Sequence, residues 1–183
     1  MRIISGSLKG KKLYLPLDKN TRPLKDLTKE SIFNLIEHSK KLKTTIAKTN
    51  ILDAFSGSGS IGFECISRGS NQVSFVENYK PAINVLKKNI QKFRIRDKCE
   101  IHECDFLNFK VKKNYDFIFL DPPFSFKEIK KLFELITTNN YLKKNGMIVL
   151  HRHKKEKDLI PNFVKEIEVR TYGISKISFL KLN

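Results

Sequence analysis

From residue 51 to residue 150 the apolar positions switch repeatedly between strand-like runs and a helical spacing of three and four, and no other feature of the chain narrows its fold as much. Apolar runs at 51–55, 73–76, 99–104, 117–120 and 147–150 read as strands. Between them 61–67 reads as helix, Tyr79, Ile83, Leu86 and Ile90 make one helical stripe, and Ile129, Leu132, Phe133 and Ile136 make another. Strands joined by helical crossovers predict an open, doubly wound, mostly parallel α/β sheet. Two further extended runs, 163–171 and 174–182, meet at Tyr172-Gly173 with no helix between them, which predicts a C-terminal antiparallel hairpin.

Ahead of this rhythm, residues 1–23 mix short β-like runs with Gly6, Gly10 and several cations and show no helical period. They read as a basic arm or small hairpin. A helical face with Leu27, Ile32, Leu35 and Ile36 follows, and the Lys-rich stretch 40–48 reads as a surface loop. A length of 183 residues suits one domain, here an arm (1–25) on a catalytic core (26–183).

Lys and Arg number 36 against 19 Asp and Glu, a formal charge of +17, so the expected partner is a polyanion, foremost nucleic acid. No apolar run approaches a membrane span, and no signal-peptide core follows Arg2. The expectation is a cytoplasmic protein without a membrane or obligate protein partner. Cys65, Cys99 and Cys104 lack the paired spacing of a zinc site and read as buried thiols in a reducing compartment.

The first strand turns into the first helix of the alternating core through Asp53-Ala54-Phe55-Ser56-Gly57-Ser58-Gly59-Ser60-Ile61-Gly62. Glycines there let the backbone come close to a ligand. Taken alone, the spacing also fits a dinucleotide fingerprint, with Glu77 as the ribose-binding acid. Asp53 tilts the choice, because a carboxylate beside the cradle repels a pyrophosphate and attracts the ammonium and sulfonium of S-adenosylmethionine (AdoMet). Glu77 can accept from both ribose hydroxyls and Asp105 from the adenine amino group, with Phe55, Ser58 and Phe106 beside them. Five alternating strands closed by a hairpin likewise match a Rossmann-like, seven-stranded AdoMet-dependent methyltransferase fold, not the six parallel strands of a dehydrogenase.

The fourth strand runs into Asp121-Pro122-Pro123-Phe124, the most specific signal in the chain. Two prolines stiffen the path and remove two backbone donors, leaving carbonyl acceptors. Asp121 and the Pro122 carbonyl can take both hydrogens of an exocyclic NH2, and Phe124 can stack on an unpaired or flipped base. Such an amine is a poor nucleophile until hydrogen bonds draw its lone pair out of the ring. Positioning and fixed dipoles then carry the transfer, with no need for a metal.

With both loops assigned, the chain resembles the RsmD-type methyltransferases, which methylate the guanine N2 amino group of one 16S rRNA nucleotide. The likeness spans nearly the whole sequence. It includes Arg2-Ile3-Ile4-Ser5-Gly6, Gly10-Lys11-Lys12-Leu13, Arg22-Pro23, Thr28-Lys29-Glu30-Ser31-Ile32-Phe33-Asn34, the glycine loop through Glu64, Ser67-Arg68-Gly69, the Asp-Pro-Pro-Phe corner and Tyr172-Gly173. The resemblance implies that Asp53, Gly57, Gly59, Glu77 and Asp105 hold AdoMet and that Asp121, Pro122 and Phe124 hold guanine. It also implies that the arm, through Arg2, Lys11 and the Arg22 loop, meets 16S rRNA or the small ribosomal subunit, with Pro123 on the same side.

Two departures stand out. Leu24-Lys25 follow Arg-Pro, and His151-Arg152-His153 stand at the end of the fifth strand, where an acid is expected. The latter reads either as a positive cluster against RNA or as a solvated strand end, with no general-base role. Rival readings are an adenine-N6 methyltransferase on DNA or RNA, a silent RNA-binding or ribosome-assembly module, and a nicotinamide dehydrogenase.

Overall fold

Strand β1 (Asn50–Ala54) lies inside a seven-stranded sheet and is buried from Ile51 to Ala54, as a strand covered on both faces must be. The computed structural model describes residues 1–18 and 24–183. The other strands are β2 (Gln72–Glu77), β3 (Cys99–Glu103), β4 (Tyr115–Leu120), β5 (Leu142–His153), β6 (Val164–Tyr172) and β7 (Ser175–Leu182), in the order β3-β2-β1-β4-β5-β7-β6. Pairings among β1 to β5 are parallel, whereas β7 runs antiparallel between β5 and β6. The expected parallel core and terminal hairpin are therefore present. An antiparallel strand inserted beside β5 sets this sheet apart from the dinucleotide-binding order.

Helices cover both faces. Helices α1 (Asp26–His38) and α2 (Ser60–Ser67), with the later part of α3 (Lys80–Phe93), share one apolar cluster with Phe117, Phe119, Met147 and Val149. Helix α4 (Ile129–Thr138) and the turn at Phe106–Asn108 pack on the other face against Ile118, Leu120, Ile148 and Leu150. Alternate residues of the same strands thus serve two cores. None of the described helices is long and apolar enough to cross a membrane.

Three local outcomes differ from the reading of the sequence. The stretch 40–48 is more than a surface loop, because Leu42 and Ile46 are buried in the first cluster while lysines stay outside. Strand β5, expected at 147–150, extends to His153 because β7 supplies partners as far as the His153–Ser175 pair. The arm forms the expected small hairpin, bridged at Arg2 and Lys12, yet it is docked rather than extended away.

Glu64 does much of that docking. Its carboxylate is fully buried and accepts from the Ile4 and Ser5 backbone N–H at 2.7 and 3.0 Å and from Arg68 at 2.8 Å. Buried Lys29 stands 3.8 Å from it and donates to the Arg2 carbonyl at 2.7 Å. Burial pushes the Lys29 ammonium pKa down, and Glu64 opposes that shift.

Candidate functional site

Strands β1 and β4 are neighbours, so the loops that leave their carboxyl ends open side by side, where ligands of α/β sheets bind. The glycine turn after β1 and the Asp-Pro-Pro-Phe corner after β4 line one cavity of about 410 Å3, within the usual range for small-molecule sites. Asp53, Phe55, Gly57, Ser58 and Glu77 stand on one part of its wall, and Asp121, Pro122, Pro123 and Phe124 on another. Leu15 and Leu24, flanking the stretch 19–23, contribute apolar wall.

The two loop glycines have different duties. Gly57 takes φ +55, and a Cβ there would meet nothing within 4 Å, which leaves its backbone open to a ligand. Gly59 takes φ +83, and a Cβ there would lie 2.5 Å from Leu86 and 2.6 Å from Phe63, so this glycine seats the turn on α3. Glu77 fastens the turn from β2, accepting from Gly57 N–H at 2.7 Å and from Asn78 and Tyr79 N–H at 2.9 Å.

Asp53 is 2% exposed and accepts from Gly62 N–H at 2.9 Å, in the first turn of α2. Burial pushes its carboxyl pKa well above the ordinary range, the Gly62 N–H pulls the other way, and the like charges of Asp121 and Glu77 add to the rise. The sign follows directly: a raised acid favours protonation in the folded state, so its ionised form costs stability as pH rises past the ordinary carboxylate range. A cation in the cavity offsets that cost. Among the described residues the lining holds the carboxyl groups of Asp53, Glu77 and Asp121 and no Lys or Arg, although the chain carries +17 overall.

Other expected residues sit elsewhere. Asp105 accepts from Leu107 N–H at 2.8 Å, capping the turn after β3, and lies 3.4 Å from the amide of Asn78, which does line the cavity. Phe106 is 1% exposed and packs against Phe55 with ring centres 5.7 Å apart. Neither Asp105 nor Phe106 is on the cavity wall itself. Arg2 and Lys11 are exposed on the arm hairpin, outside the cavity lining, and Arg22 lies outside the described residues.

The strand end His151-Arg152-His153 is buried at its first two residues and half-buried at His153. Because β5 pairs with β7 there, His151 is 9% exposed and Arg152 fully buried. His151 Nδ1 lies 2.7 Å from Asp121 Oδ1 and Nε2 lies 2.9 Å from Ser175 Oγ. Arg152 donates to the carbonyls of Pro123 at 2.9 Å and Phe126 at 2.7 Å and pairs with Asp158 at 3.0 Å. Phe124 packs edge-on against the rings of both His151 and His153.

Sequence reasoning also missed Asn89. It is fully buried on α3, accepts from Tyr14 N–H at 2.8 Å, and donates to the carbonyls of Tyr14 at 3.1 Å and Ser58 at 3.2 Å. One side chain thus ties the arm to the glycine turn. Its signal was available: an amide three residues after Leu86 on an apolar stripe must find partners or pay for burial.

Comparison with known proteins agrees with this layout. The model of a family described as Conserved hypothetical protein 95 matches residues 1–181. A Haemophilus influenzae protein named Ribosomal RNA small subunit methyltransferase D is 34% identical over 183 residues, covering 95% of this chain and 90% of that protein. A protein of the same name from Buchnera aphidicola subsp. Baizongia pistaciae is 34% identical over 188 residues, covering 100% and 93%. Among solved structures, a Haemophilus influenzae chain with 32% identity superposes with a TM-score of 0.77, covering 98% of this chain and 96% of that one.

Proposed function

The chain belongs to the RsmD family, matched by the Conserved hypothetical protein 95 model, and we propose that it methylates the exocyclic N2 amino group of a guanine in 16S rRNA, using AdoMet. The observation that carries this reading is a single cavity walled by the glycine turn, the acids Asp53 and Glu77, and the Asp121-Pro122 corner. Three acidic side chains on the cavity wall, with no Lys or Arg among the described lining residues of so basic a protein, suit a cationic cofactor and disfavour a pyrophosphate. AdoMet, when bound, supplies an electrophilic methyl group on a sulfonium.

The chain's own residues do the rest. Glu77 gives the negative field, joined by Asp53 when a bound cation offsets the cost of ionising its buried carboxyl, and Gly57 lets the backbone lie against the cofactor. Glu77 has lone pairs beyond those taken by Gly57, Asn78 and Tyr79 and accepts from the ribose hydroxyls. Asp105, behind Asn78, serves the adenine side through a small rearrangement of that amide. Asp121 and the Pro122 carbonyl accept the amine hydrogens, Phe124 stacks on the base, and the exposed cations Arg2 and Lys11 meet the RNA backbone.

Two measurements test this. Purified protein, labelled AdoMet and either small-subunit particles or deproteinised rRNA are expected to yield N2-methylguanosine after digestion to nucleosides. N6-methyladenosine instead would transfer the assignment to the adenine reading, and AdoMet binding without transfer to either substrate would favour the silent module. Separately, Glu77→Ala is expected to weaken AdoMet binding by roughly 10- to 100-fold, the worth of lost hydrogen bonds to a charged group. An unchanged Kd by calorimetry would remove Glu77 from the cofactor site.

A further inference from the structure

Asp121, His151 and Ser175 stand in a row, with 2.7 Å from Asp121 Oδ1 to Nδ1 and 2.9 Å from Nε2 to Ser175 Oγ. The same order of groups serves hydrolases, where the serine end does the work. Here the serine end is closed: Ser175 is 9% exposed and stands outside the cavity lining, while Asp121 and His151 line the cavity. The working end of this row is therefore the carboxylate.

We infer that His151 is a positioning residue, donating from Nδ1 to Asp121 Oδ1 and so aiming Oδ2 at the substrate amine; this rests on the function proposed above. A carboxylate can only accept, so with Asp121 taking an amine hydrogen as a carboxylate the hydrogen on the 2.7 Å line belongs to Nδ1. Ser175 then sets the tautomer, its O–H donating to Nε2 of the neutral ring. An imidazole is well suited to this place. It is planar, it is wedged edge-on against Phe124 at 5.4 Å between ring centres, and its β5 backbone is paired with Ile177 of β7. A carboxylate held at one oxygen cannot swing, and in-line methyl transfer is sensitive to such swings, since a misplacement of about 1 Å costs about 100-fold in rate.

The test compares His151→Leu with His151→Asn, whose amide nitrogen falls near the place of Nδ1. His151→Leu is expected to lower kcat by about 100-fold, with the AdoMet Kd and the KM for rRNA within about threefold of wild type. His151→Asn should recover at least about tenfold of that loss because it restores the donor. In the 15N spectrum of the wild-type protein, Nδ1 should resonate as a protonated nitrogen. Full activity in His151→Leu, equal losses in both variants, or an unprotonated Nδ1 would overturn the inference while leaving the proposed function standing. Failure of the wild-type protein to methylate rRNA would instead strike the function itself.

Discussion

Asp121→Ala is expected to lower methyl transfer by about 100- to 1,000-fold while AdoMet still binds within about fivefold of its wild-type Kd, as happens when one preorganised polar group is removed from a reacting centre. Asp121 stands at the corner after β4 and takes no part in the Asp53–Gly62 or Glu77–Gly57 hydrogen bonds, so its loss leaves Asp53, Gly57 and Glu77 in place. Asp121→Asn separates charge from shape. It keeps the volume and one acceptor, yet presents an N–H2 group that can face the substrate's own N–H2, so a loss nearly as large is expected. Single-turnover rates with saturating AdoMet, read beside calorimetric binding, check both variants. More than a tenth of wild-type activity in Asp121→Ala would dismiss the aspartate from the chemistry, and loss of AdoMet binding would move it to the cofactor side.

The corner that carries this expectation was readable before any coordinates, because its information is local. A hydrophobic run stops at an aspartate, two prolines fix the path, and the same logic makes the glycine turn legible after β1. What stayed hidden depends on contacts between residues far apart in the chain. Nothing around 151–153 announces that Ser175 will lie beside His153, and without that pairing a His-Arg-His strand end reads as a wet surface. Asn89 and Glu64 are intermediate cases. Each is a polar group set among apolar helix positions, which predicts a buried partner without naming it, and the partners proved to be backbone atoms of the arm. Asp53 has a second duty that its charge did not reveal: one oxygen is engaged by the α2 N-terminus at Gly62, while the residue also lines the cavity. The RNA-facing role of the arm's cations came from the family resemblance and the overall charge, and Arg22 falls outside the described residues.

Arg152 gives the largest expected effect on stability. Its guanidinium is completely buried, pairs with Asp158 at 3.0 Å, whose side chain is 7% exposed, and donates to the carbonyls of Pro123 and Phe126. Arg152→Met keeps most of the volume but strips a buried carboxylate of its charge partner and takes the guanidinium donor from the Phe126 carbonyl, leaving Pro123 O with the Phe126 N–H alone, which costs about 3–5 kcal/mol. For a chain of this length that corresponds to a fall in Tm of about 10 °C. Arg152→Lys should recover little, since a single ammonium cannot reproduce the planar fork that reaches Asp158 and both carbonyls at once. The double variant Arg152→Met, Asp158→Asn should regain part of the loss, because removing the stranded charge removes the costliest consequence of the first change. Urea unfolding of the four proteins decides the matter. A loss under about 1 kcal/mol in Arg152→Met would show that the guanidinium neither holds the Pro123–Phe126 backbone nor neutralises Asp158 in a dry environment. The expected pattern would instead mean that Arg152 of β5 fixes the Asp-Pro-Pro-Phe corner through the carbonyls of Pro123 and Phe126, beside the contact of its neighbour His151 with Asp121.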